Sequence, residues 1–103
     1  MTPVEIYTRP FCPYCTRARR LLDARGIAFE EIDVHGDAVA DACMRERSGR
    51  TSVPQVFVGG RHVGGSDELA AADASGLLAR LVGEVAVAGG GRLPVAAERG
   101  VGA

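Results

Sequence analysis

At 103 residues the chain has room for one domain with one modest core. It is 47% apolar and 24% charged with a formal net charge of −1, so neither a nucleic-acid surface nor a basic membrane-facing surface is expected. The opening stretch Met1 to Arg9 lacks a basic-then-apolar signal pattern, and no apolar run approaches a membrane span, so a cytoplasmic protein is expected.

Val4 to Thr8 reads as a short strand, rich in β-branched and aromatic residues, and Pro10 ends it. Pro13 suits the first turn of a helix, where its missing N–H is not needed. Ala18, Leu21, Leu22 and Arg25 continue at helical spacing until Gly26 stops them. Ala28 to Val34 reads as a second strand and Asp37 to Ser48 as a second helix, ended by Gly49. Strand, helix and strand in so short a span favour parallel pairing of the first two strands. Pro54 to Val58 and Arg61 to Val63 flank Gly59-Gly60, a hairpin signal. A further helical stretch runs from Glu68 to about Val82, with Ser66 or Asp67 expected as its cap. From Glu84 onward the chain has no aromatic residue and many glycines. Residues 1–83 are therefore read as the domain and 84–103 as a flexible Gly/Ala-rich tail.

The chemistry-bearing motif is Cys12-Pro-Tyr-Cys15, at a strand–loop–helix junction. In a cytosolic protein such a pair is catalytic or metal-binding more often than structural. A structural zinc site wants four ligands, and no second Cys-x-x-Cys or His pair accompanies this one. A thiolate just before a helix is favoured by the unpaired N–H groups there. That gains little for attack, because nucleophilicity falls in step, but it makes the sulfur a better leaving group. Such a sulfur suits a shuttle that releases quickly. Cys15, one turn further on, is expected to be more covered and placed to close a bond with Cys12.

Cys12-Pro-Tyr-Cys15 after a strand, Ser52-Val53-Pro54 before a hairpin, and Gly64-Gly65-Ser66-Asp67 opening a helix come in a telling order and spacing. Together they resemble a dithiol glutaredoxin over about residues 3 to 82. The resemblance implies an α/β, thioredoxin-like fold: a four-stranded mixed sheet flanked by helices. It implies a glutathione-dependent thiol–disulfide oxidoreductase that reduces protein disulfides and glutathione mixed disulfides. Cys12 would be the nucleophile and Cys15 the resolving thiol. Pro54 would be cis, and Val53 would pair its backbone with the cysteine of glutathione. Gly65, Ser66 and Asp67 would hold the γ-glutamyl end. Arg9 and Tyr14, flanking Cys12, would meet the glycyl carboxylate and the peptide body.

No bound cofactor and no metal are implied, with glutathione serving as reducing co-substrate. The implied partners are glutathione and disulfide-containing or glutathionylated clients, met by a monomer. Many family members carry Lys where this chain has Arg9, so a planar fork replaces a point charge. An iron–sulfur carrier is the competing reading, but such relatives resemble Cys-Gly-Phe-Ser at this site, and Pro13 is rigid. A donor served by thioredoxin reductase is a third, disfavoured by the Gly64 to Asp67 motif. Arg50 reads as a solvated loop charge, His35 and His62 as bystanders, and Cys43 as a half-buried filler.

Overall fold

The computed structural model describes residues 3–88. The elements in chain order are β1 (Val4–Thr8), α1 (Pro13–Ala24), β2 (Glu30–Asp33), α2 (Ala38–Ser48), β3 (Gln55–Val58), β4 (Arg61–Gly64), α3 (Ser66–Ser75) and α4 (Leu77–Ala88). The expected order is present. The last helical stretch is split in two at Gly76, whose φ of 85° no helix can continue. The backbone of α4 runs through Ala88, past the boundary expected at residue 83. The rest of the expected tail, 89–103, lies outside the described residues.

The strands form one mixed sheet in the order β2-β1-β3-β4. β1 pairs parallel with β2 and antiparallel with β3, and β3 pairs antiparallel with β4. Alternation along the two central strands feeds two cores. Val4 and Ile6 of β1 and Val56 and Val58 of β3 face Ala18 and Leu22 of α1 and Leu69, Ala72, Leu78 and Leu81 of α3 and α4. On the opposite face Tyr7 and Phe57 meet Val34 and Met44. Helices therefore cover both sides of the sheet. β2 is shorter than the expected Ala28 to Val34. It lies at the sheet edge, where Glu30, Glu31 and Asp33 are exposed, and charge there suits a strand with one free side.

α2 starts and ends as its sequence reads: Asp37 accepts from the Ala40 N–H at 3.0 Å, and Gly49 closes it. α3 does not. Neither Ser66 nor Asp67 caps it; Gly65 is the N-cap, and the Glu68 side chain reaches back to accept from the Gly65 N–H at 2.6 Å. The Glu three residues on supplies the bond that a capping side chain would otherwise make. Among the described residues no helix is long and apolar enough to cross a membrane.

Candidate active site

The register of β1 against β3 sets Tyr7 opposite Gln55. The loop leaving β1, which carries Cys12, and the loop entering β3, which carries Val53-Pro54, therefore emerge at the same end of the sheet. β4 leads through Gly65 directly into α3, which brings Ser66 and Asp67 to that end as well.

Cys12 is the N-cap of α1, with extended backbone angles, and its Sγ accepts from the Cys15 N–H at 3.2 Å. That sulfur thus sits on a helix N-terminus with one amide already donating to it. Cys12 is half-buried and reachable, whereas Cys15 is completely covered. Both are free thiols. Burial pushes the Cys15 thiol up to about 12; its hydrogen bond to Cys12 adds to the rise, and a hydrogen bond from the Arg9 backbone opposes it. Pro13 opens α1, as expected. Phe11, just before Cys12, is fully exposed with φ at 58°.

A cleft opens beside this turn. It is lined by Tyr14, by residues 50 and 52–55, and by residues 65–68. Most of the expected site residues meet there: Tyr14, Val53, Pro54, Gly65, Ser66 and Asp67. The Val53–Pro54 bond is cis, as the resemblance implied. Val53 turns its side chain toward the Tyr7–Phe57 core. Among the described residues nothing in the protein hydrogen-bonds its backbone N–H or C=O. Ser66 is 9% exposed, and among the described residues its hydroxyl has no partner.

Of the residues expected to contact glutathione, Arg9 is the one that does not line the cleft. Its guanidinium turns to α2 and pairs with Asp41 at 3.3 Å, a contact made possible because α2 packs beside the end of β1. Arg50, read from the sequence as a solvated charge, lines the cleft and pairs with Glu68 at 3.2 Å. Gln55 carries no motif of its own in the sequence. It is buried, and its amide donates to the Ser52 carbonyl at 3.0 Å while its oxygen meets His62 Nε2 at 2.7 Å. His62 is therefore the donor, standing behind the cleft, and burial lowers its pKa, with Arg50 adding to the fall. The available signal was position: Arg50 and Gln55 bracket the Ser52-Val53-Pro54 motif. Cys43 is exposed rather than half-buried, with the Tyr7 hydroxyl 3.5 Å from its sulfur.

Residues 4–63 match the family model described as Glutaredoxin. The chain is 50% identical over 76 residues to "Glutaredoxin 3" of Escherichia coli (strain K12), covering 74% of this chain and 92% of that protein. Among solved structures it is similar to a glutaredoxin from Brucella melitensis, with a TM-score of 0.71 and 50% identity, covering 80% of this chain and 89% of that one. It is also similar to a buckwheat glutaredoxin in complex with glutathione, with a TM-score of 0.73 and 31% identity, covering 81% of this chain and 78% of that one.

Proposed function

The chain belongs to the glutaredoxin family and is a thiol–disulfide oxidoreductase, and on that premise we propose that glutathione is its reducing co-substrate, held in the cleft beside Cys12. The observation that carries this reading is the open backbone edge of Val53, whose N–H and C=O lack partners among the described residues. An extended peptide can pair with it as one strand pairs with another. The unpartnered Ser66 hydroxyl and the N-terminus of α3 suit a carboxylate, and the exposed Asp67 suits an ammonium. Arg50 supplies a cation in the same cleft. Tyr14, 57% exposed, offers an aromatic surface to the peptide body.

The chemistry follows from the two thiols. With a glutathionylated client, the Cys12 thiolate attacks the glutathione sulfur. The client leaves as a thiolate and takes up a proton. A second glutathione thiolate then attacks the glutathione sulfur bonded to Cys12, so glutathione disulfide forms and the Cys12 thiolate departs. With a client disulfide, Cys12 attacks one sulfur and the Cys15 thiolate then attacks Cys12 Sγ. The reduced client is released, and two glutathiones reduce the Cys12–Cys15 bond. The raised Cys15 thiol fits this order of events. Burial is the main influence holding its proton, with its hydrogen bond to Cys12 second, so Cys15 stays a thiol while Cys12 makes the first attack.

The proposal includes a cytosolic monomer serving disulfide-containing and glutathionylated proteins. Its test is glutathione-coupled reduction of the cysteine–glutathione disulfide by wild type, Cys12→Ser and Cys15→Ser. Cys12→Ser is expected to be inactive, and Cys15→Ser to keep most turnover of this substrate while losing reduction of protein disulfides. Turnover only with thioredoxin reductase would overturn the role of glutathione.

A further inference from the structure

Two carboxylates line the cleft, Asp67 and Glu68, and Glu68 is the one paired with the cation there. Its Oε1 accepts from the Gly65 N–H at 2.6 Å and from Arg50 Nη1 at 3.2 Å. Those two donors hold its carboxyl below the usual range, the Gly65 N–H first and Arg50 second. Arg50 is the one cationic side chain among the described residues that line the cleft. The cation and the N-cap amide of α3 are therefore both engaged by a carboxylate of the protein itself.

We propose that Glu68 competes with the carboxylates of the incoming peptide for Arg50 and for the N-terminus of α3, and so limits how tightly the cleft holds glutathione-class ligands. The inference rests on the proposed placing of glutathione in this cleft. A ligand carboxylate reaching Arg50 must displace Glu68 or share the guanidinium with it, at a cost in repulsion. The Arg50 and Glu68 side chains are 43% and 49% exposed, so solvent screens the exchange and the effect is modest. The consequence is functional. A shuttle that binds its reductant too firmly releases product slowly, and a resident carboxylate speeds exchange.

The test is Glu68→Gln. The amide keeps an oxygen for the Gly65 N–H and removes the charge that engages Arg50. With the cysteine–glutathione disulfide as substrate, KM is expected to fall about two- to fivefold, the range set by exposed ion pairs, while kcat does not rise. A purely structural role for Glu68 predicts the reverse: a lower melting temperature and an unchanged or higher KM. In an Arg50→Ala background the fall in KM should vanish. An unchanged or raised KM in Glu68→Gln overturns the proposal, as does an equal gain without Arg50. Failure of wild type to turn over this substrate would overturn the glutathione reading itself, and this one with it.

Discussion

The guanidinium of Arg47 lies 4.1 Å from the centroid of the Phe57 ring while donating to Glu5 at 2.9 Å and to the Tyr7 hydroxyl at 2.8 Å. One α2 side chain thus ties the helix to both central strands. Arg47→Met keeps the stem over Phe57 and removes the charge and every donor. We expect a loss of about 1–3 kcal/mol, read from urea unfolding, since a cation–π contact and two hydrogen bonds go together. Turnover should be little changed, because none of these residues lines the cleft. Arg47→Lys should recover only part of the loss, since an ammonium lacks the fork.

Cys15 makes stability fall at high pH. Its thiol is raised by burial from an ordinary 9.0 to about 12 in the folded protein. Above pH 9 the unfolded chain releases this proton while the folded chain keeps it. The contribution is therefore whole below the unfolded value and is lost as pH rises through the folded one, with a slope of up to about 1.4 kcal/mol per pH unit. Unfolding of reduced wild type and Cys15→Ser between those limits should diverge, with wild type falling faster. Parallel curves would mean that Cys15 ionises as easily in the fold as outside it.

Gly64 leaves no room for a side chain. Its φ is 130°, and an added Cβ would stand 2.7 Å from Glu68 Cβ and 2.8 Å from Glu68 Oε1. Gly64→Ala must push Glu68 off the Gly65 N–H or distort the start of α3. A destabilisation of about 1–3 kcal/mol is expected, as for overpacking elsewhere. KM for the cysteine–glutathione disulfide should change as well, and wild-type values of both quantities would refute the clash.

Arg50 and Arg9 can be ranked against each other. Arg50 lines the cleft, whereas Arg9 is committed to Asp41. Arg50→Ala should raise KM for the cysteine–glutathione disulfide more than Arg9→Ala does. The opposite ranking would show that Arg9 leaves Asp41 when ligand arrives.

These two arginines also mark where the sequence stops being readable. Local chemistry was legible: the strand before Pro10, the helix opened by Pro13, the αL stop at Gly49 and the Gly59-Gly60 hairpin all depend on neighbours within a few positions. So was the placing of Val53, Pro54, Gly65, Ser66 and Tyr14, because their motifs carry it. The partner of a long side chain is a different matter. Arg9 finds Asp41 on a helix 32 positions away, and Arg50 finds Glu68 18 positions away. Neither pairing has a local signature. The cap of α3 differs from the expected Ser66 or Asp67 for a related reason: Glu68 reaches back to the Gly65 N–H, and Gly65 is the N-cap. Cys43 is exposed, not half-buried as expected, because α2 buries Met44 while its neighbour faces out.

The antiparallel register that sets Tyr7 against Gln55 joins two parts of the site that lie far apart in the chain. The dithiol itself belongs to one continuous stretch, Cys12 to Cys15, at the first turn of α1. The cleft beside it belongs to no single stretch. It forms only where the loop after β1 and the loop before β3, with Val53 41 positions after Cys12 (53 − 12), are brought to one end of the sheet by the pairing of β1 with β3. A chain that has not completed this pairing has its two cysteines but not the cleft beside them.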